Sequence, residues 1–352
     1  MNTPATAGGP TTFGINRVLV PAGSLPQAAD RIDATSPIRA TEALVRVEQL
    51  NLDSASFQQI RDAHDGDSAA MRKQILEIVD TRGKMQNPVT GSGGVLIGTI
   101  EQIGDDFAGT AVPGDRIVTL VSLTATPLHL SAIEESWPGD SPVIPVEGTA
   151  VLTDGAIFAV IPGDMPEATA MSVLDVCGAP ALAARVLQRP AIDGKTPTSL
   201  LILGGGKSAS LSAVAARQLG IDVTIVVPNE RERERLLAHE ITDRVVVSDA
   251  TNPLTTHERV LAATGTGQLP DVTLVCVNVP GVEHTALVTT RPCGAVVYFS
   301  MATSFSAVAL GAEALGLDLD LIIGSGYVPG HAETALQLLR EHDGLRRFFD
   351  SL

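Results

Sequence analysis

Ser199-Leu-Leu-Ile-Leu-Gly-Gly-Gly-Lys-Ser-Ala209 decides the fold. Five residues form a continuous apolar run, as in a strand buried on both faces. The Gly204-Gly205-Gly206-Lys207-Ser208-Ala209 turn that follows fits G-x-G-x-x-A, and a helix pattern continues to about Leu219. Small residues at 204, 206 and 209 let main-chain N–H groups and a helix N-terminus approach a pyrophosphate. The pattern is weak alone, but strand, turn and helix in this order are the context that gives it meaning. A P-loop is excluded, because Lys207-Ser208 does not sit in GxxxxGK[ST].

The same grammar continues C-terminally. Asp222–Val227, Arg244–Ser248, Val272–Val277, Ala295–Phe299 and Leu319–Ile323 read as further buried strands separated by helices, and Met171 to Arg185 reads as a helix ahead of the first. Alternation of this kind predicts a doubly wound parallel sheet, an α/β Rossmann domain. Upstream, Ala43–Glu48 alternates like a half-buried strand, Ala69–Val79 has helical spacing with Ile75, Ile78 and Val79 on one face, and strands follow at 91–104 and 113–121. Short strands punctuated by Gly and Pro predict a β-rich, barrel-like domain. The expected division is 1–165 for the β-rich domain, 166–325 for the Rossmann domain, and 326–352 as a helical segment returning to the first. Residues 1 to about 15 are small and polar and expected to fray.

The chain has 352 residues, which suits about two domains. It carries 24 Lys and Arg against 40 Asp and Glu, a net charge of −16, which argues against nucleic acid or an anionic membrane as partner. Aromatic residues are 3%, too few for a base-stacking platform. Cys177, Cys276 and Cys293 are far apart and no CxxC occurs, so a disulfide framework or structural zinc site is not expected. With no signal-like N-terminus and no run of about 20 apolar residues, a cytoplasmic protein is expected.

The β-rich domain, Pro113-Gly-Asp-Arg-Ile117 and the nucleotide-binding sheet together resemble the medium-chain dehydrogenase/reductase superfamily. The resemblance implies a GroES-like catalytic domain, a cofactor domain and a substrate in the cleft between them. Zinc members carry cysteine in V-x-V-x-x-x-G-x-C and histidine in G-H-E. Here Asp53 stands at the cysteine position after Val45-Arg-Val47, Gly91-Ser92-Gly93 replaces G-H-E, and only Cys177 remains as a soft ligand. A catalytic zinc wants three protein ligands, so no metal is expected. Carboxylates and hydroxyls there suit an organic ammonium instead. The candidates are Asp53, Asp175, Ser54, Ser56, Thr90 and Ser92.

Longer segments sharpen this. Leu52-Asp-Ser-Ala-Ser-Phe57, Lys84-Met-Gln-Asn-Pro-Val-Thr-Gly-Ser-Gly-Gly94, Thr119-Leu-Val-Ser-Leu-Thr124, Ser300-Met-Ala-Thr-Ser-Phe305 and Gly330-His-Ala-Glu333 are similar to the L-erythro-3,5-diaminohexanoate dehydrogenase family. That resemblance implies NAD-dependent oxidative deamination of a diamino acid at C3 to 5-amino-3-oxohexanoate, within lysine degradation. Ala209 departs from the family's phosphate loop, which is also a residue longer. Asp53 or Asp175 is the expected base or ammonium holder. Lys84, with Arg82 second, is the expected partner of the substrate carboxylate or an alternative base, and Ser122 joins the substrate candidates.

Around the cofactor the candidates are Asn229, Arg231, Asp249, Asn278, Ser300 and Thr303. Neutral Asn229 with Arg231 at the end of the second strand leans toward NADP, or tolerance of both NAD and NADP. A zinc-free quinone or enone reductase and a non-catalytic dinucleotide sensor stand as alternatives, and a homodimer or homotetramer is expected by analogy.

Overall fold

Strand β3 shows how the first part of the chain is built. The computed structural model describes residues 13–120, 122–153, 155–265, 267–300, 303–309, 311–328 and 330–351. It divides into two units, Met1–Gly163 and Asp164–Leu352. The first contains β1 (Val18–Val20), β2 (Arg31–Ile32), β3 (Ala43–Leu52), α1 (Ser54–Ala63), α2 (Ser68–Arg82), β4 (Gly94–Ile103), β5 (Arg116–Thr119), β6 (Leu128–Ile133), β7 (Val143–Leu152) and β8 (Phe158–Val160). Six strands form an antiparallel sheet in the order β6-β7-β3-β4-β5-β8.

β3 is longer than its alternation suggests. Ala43, Val45 and Val47 face the core, and then the phase slips so that Leu50 and Leu52 do. The register with both β4 and β7 shifts between Val47 and Gln49. One extra residue flips every later side chain, and this bulge is why a period-two reading stops at Glu48. Met71, Ile75, Ile78 and Val79 of α2 join the core with Leu96, Ile100 and Ile117.

The second unit contains α3 (Glu167–Leu174), α4 (Gly178–Leu187), β9 (Ser199–Leu203), α5 (Lys207–Gln218), β10 (Asp222–Val227), α6 (Glu230–Ala238), β11 (Arg244–Val247), α7 (Pro253–Ala263), β12 (Val272–Val275), α8 (Glu283–Val288), β13 (Ala295–Tyr298), α9 (Phe305–Ala309), β14 (Asp320–Ile323), α10 (His331–Glu341) and α11 (Asp343–Asp350). All pairs in the order β11-β10-β9-β12-β13-β14 are parallel. This is the doubly wound order, with its switch point between β9 and β12.

One expectation is corrected. The helix read across 171–185 is two helices, α3 and α4, bent by 45°. Pro180 lacks an N–H and its ring would strike the carbonyl four residues back, so α4 must restart. α10 packs on α3, α4 and α5, and α11 packs on α3 and α5, all in the second unit. The apolar face of α10, with Ala335, Leu336, Leu338 and Leu339 buried, is what ties it there. No single helix among the described residues is long and apolar enough to cross a membrane.

The first unit also buries an ion pair. Arg17 donates Nε to Glu42 Oε1 at 2.9 Å and Nη2 to Oε2 at 2.5 Å, and Arg39 N–H reaches the same carboxylate at 2.8 Å. Arg17 and Glu42 are 2% and 1% exposed. A fully desolvated pair is costly to break, because the survivor is a bare buried charge. Glu42→Ala should lose about 3–5 kcal/mol in urea unfolding, and Arg17→Met with Glu42→Leu should recover most of it. A loss below about 1 kcal/mol in the single variant contradicts this.

Candidate functional site

In the first unit the chain turns from β3 into α1 at Asp53. Its Oδ1 accepts the N–H of Ser56 at 3.0 Å, an N-cap that stops the strand and starts the helix. Its Oδ2 is buried and has no donor. The buried Ser56 hydroxyl lies 2.7 Å from Thr90 Oγ1 and 2.9 Å from Ser92 Oγ, and Thr90 and Ser92 are 2.9 Å apart. Three hydroxyls this close share hydrogen bonds among themselves, and Thr90 Oγ1 also accepts the Ser92 main-chain N–H at 3.3 Å. Ser56 joins both features, since its N–H holds Asp53 and its hydroxyl closes the ring.

The loop that brings Thr90 and Ser92 there is tightly held. Buried Asn87 accepts the Val89 N–H at 2.8 Å and donates Nδ2 to Gln59 of α1 at 2.8 Å. Its main-chain N–H donates to Ser92 O at 2.8 Å. At Gly93 a side chain would run into the Met85 carbonyl. Asn87 and Gln59 were not among the sequence candidates. The available signal was Asn87 ahead of Pro88, a turn-forming pair.

Other first-unit candidates fall elsewhere. Ser54 is exposed in the first turn of α1. Ser122 caps a short turn, accepting the Thr124 N–H at 3.4 Å. Lys84 is corrected as a substrate contact. It is fully buried, and its ammonium donates to the carbonyls of Pro26 at 2.6 Å and Gln27 at 3.1 Å, pinning that segment. Burial and neighbouring Arg82 push its pKa from 10.5 down to about 8, against an opposing pull from Asp30. Arg82, the second choice, donates Nη2 to Gln86 at 2.8 Å.

In the second unit the apolar β9 ends at the glycine turn. Gly204 has φ +111, where L side chains are strained, and a Cβ on Gly205 would come 2.8 Å from Val227 Cγ1. Gly206 faces open space, and as N-cap of the 12-residue α5 it lends no side chain to that helix's first N–H groups. These residues fit a pyrophosphate: bare donors, a favourable helix dipole and nothing in the way. Ala209 is buried, as close helix–strand packing requires. Lys207 and Ser208 open α5, and Lys207 lies 3.8 Å from Asp175, an exposed residue at the end of α3.

Asn229 caps α6 by accepting the Glu232 N–H at 2.9 Å, and Arg231 is exposed. Asp249 is held by Thr251 N–H at 2.9 Å and hydroxyl at 2.7 Å, which keep its carboxyl below the usual range. Ser300 donates to Asn278 at 2.8 Å, and Thr303 donates to the Ser300 carbonyl at 3.0 Å, so these three form one connected group. Cys177 is buried, donates to Leu174 O at 3.1 Å, and burial pushes its thiol up to about 12. Among the described residues, no three His, Cys, Asp or Glu gather as a metal would require.

The β-rich unit and the doubly wound sheet with its glycine turn make up a medium-chain dehydrogenase/reductase fold. The enoyl reductase CurK superposes with TM-score 0.52 at 14% identity over 87% of this chain and 82% of its own. An alcohol dehydrogenase of Thermus sp. ATN1 does so with TM-score 0.50 at 18% identity over 92% and 88%. Residues 16–162 match the model of the L-erythro-3,5-diaminohexanoate dehydrogenase N-terminal domain. The L-erythro-3,5-diaminohexanoate dehydrogenases of Acetoanaerobium sticklandii and Fusobacterium nucleatum are 44% and 42% identical to this chain, each over 97% of it and 98% of theirs. The chain belongs to the L-erythro-3,5-diaminohexanoate dehydrogenase family and is a dehydrogenase.

Two outcomes follow from this geometry. Gly206→Ala has room and an ordinary φ, so stability should hold within about 0.5 kcal/mol while dinucleotide binding by calorimetry weakens severely. Gly205→Ala should lower stability itself. Equal binding by Gly206→Ala and wild type contradicts the phosphate-loop reading. For Lys84, the folded pKa lies below the unfolded one, so between about pH 8 and 10.5 the unfolded chain holds a proton the native chain has released. Wild-type stability relative to Lys84→Met should therefore rise with pH across that window. A flat or falling difference in denaturant unfolding contradicts it.

Proposed function

We propose that this protein oxidatively deaminates a diamino acid of the 3,5-diaminohexanoate type, with a nicotinamide dinucleotide as hydride acceptor. The observation that carries the reading is the buried, donor-less Oδ2 of Asp53 beside Ser56, whose hydroxyl belongs to a cluster of three. A buried carboxylate oxygen without a donor is costly in the empty protein. A protonated amine removes that cost, because an ammonium offers only donors. An enone or quinone has no such donor and would leave the carboxylate bare. Membership of a diamino-acid dehydrogenase family points the same way.

The chemistry balances as follows. The reacting ammonium releases a proton, and its carbon then releases a hydride, leaving an iminium. Water adds to that carbon and ammonium departs, leaving a ketone. When bound, the nicotinamide supplies the hydride acceptor. Asp53 holds an ammonium of the substrate by a charge-assisted hydrogen bond, with the polar cluster of Ser56, Thr90 and Ser92 beside it. Asn87 and Gln59 hold the loop that fixes the ring. Asp175 and Lys207, paired at the head of α5, sit beside the pyrophosphate site.

Asp53→Asn separates the two duties of this residue. Asn caps a helix about as well as Asp, so the thermal midpoint should stay near wild type. KM for the diamino acid should rise at least about tenfold, the worth of a charged hydrogen bond. Unchanged KM in a stably folded Asp53→Asn protein overturns the ammonium reading.

A further inference from the structure

We infer that Arg235, held by Phe348 of the C-terminal helix α11, positions the phosphate loop: it turns the Gly205–Gly206 peptide so that the Gly206 N–H faces the dinucleotide's pyrophosphate. The inference rests on the dinucleotide reading above and is independent of the amine and of which dinucleotide is taken. Arg235 lies in the last turn of α6 and donates Nη2 to the Gly205 carbonyl at 3.3 Å. A trans peptide sets its C=O and N–H on opposite sides. The cation that takes the carbonyl of Gly205 therefore leaves the N–H of Gly206 on the far side. A side chain on Gly206 would meet nothing there. Among the described residues no acceptor takes that N–H. A flip of this peptide would present a carbonyl oxygen to the phosphates in place of a donor, which an anion disfavours.

What holds Arg235 comes from the far end of the chain. Its guanidinium lies over the Phe348 ring, 4.9 Å from the centroid, a cation on the negative face of an aromatic. Phe348 is buried and meets two rings edge to face, His239 at the C-cap of α6 at 5.8 Å and Phe349 at 5.9 Å. At Gly344 a side chain would run into the His239 carbonyl, so α11 approaches the end of α6 closely. Among the described residues no carboxylate pairs with Arg235, and its Nε is buried without an acceptor. The ring and the Gly205 carbonyl are thus what orient it. Glu232, one turn earlier on the same face of α6, also comes up behind Gly205, its Oε2 3.3 Å from where a Cβ would stand. An arginine near a helix end is ordinarily solvated and mobile, whereas this one is a strut between α11 and the glycine turn.

The test is calorimetric titration of the whole protein with NAD and with NADP, which share the pyrophosphate. Arg235→Met keeps a stem that packs on Phe348 and removes the donor, so its unfolding midpoint should stay near wild type. Its affinity for each dinucleotide that wild type binds should fall by the same factor, about tenfold, the worth of a charged donor on a carbonyl. Phe348→Leu should weaken binding in the same direction. The double variant should bind no more weakly than Arg235→Met alone, because both changes act through one contact. A merely structural role would lower the midpoint and leave binding by the folded protein unchanged. Unchanged affinity in Arg235→Met, unequal losses for two dinucleotides that wild type binds, or additive losses in the double variant each overturn the assignment and leave the dinucleotide reading standing. Binding of neither dinucleotide by wild type overturns both.

Discussion

One carboxylate does two jobs at the junction between β3 and α1. Asp53 Oδ1 caps a helix, and in that orientation Oδ2 is buried with no donor. Rotating outward to relieve the desolvation would cost the acid its capping bond. That relief is therefore available to a ligand, and the hydroxyl cluster lies beside it. Negative charge without a donor suits a cationic amine and disfavours a carboxylate, a phosphate or a carbonyl.

The second unit reaches its site by a different route. Apolar strands buried on both faces place the glycine turn at the switch point of the sheet. Within the turn the three glycines are not equivalent. Gly204 is required by its dihedral, Gly205 by its neighbour Val227, and Gly206 by nothing in the protein, which leaves its openness to be explained by a ligand. The capping of α6 then swings Glu232 toward the same turn.

Much of the architecture was legible in the residues. The strand-turn-helix series from Ser199 onward is nearly self-declaring, because buried parallel strands are unbroken apolar runs. Asp53, Ser56, Thr90 and Ser92 were legible as candidates because they stand where a metal site would have soft ligands. The losses have physical causes. The bulge at Glu48 hid half of β3, and Pro180 broke a helix that periodicity carried straight through. Lys84 read as a cation for the substrate carboxylate because it follows a glycine; only the fold shows its ammonium bonded to main chain.

The central claim is that Asp53 Oδ2 awaits an ammonium. A crystal structure of the protein with a dinucleotide and 3,5-diaminohexanoate, at a resolution that separates water from nitrogen, addresses it most directly. A substrate nitrogen at about 2.8 Å from that oxygen, with further contacts to the ring of Ser56, Thr90 and Ser92, is the result this account predicts. A metal ion there, a substrate carboxylate or carbonyl oxygen facing the ring, or an Asp53 side chain turned away from the bound molecule would contradict it.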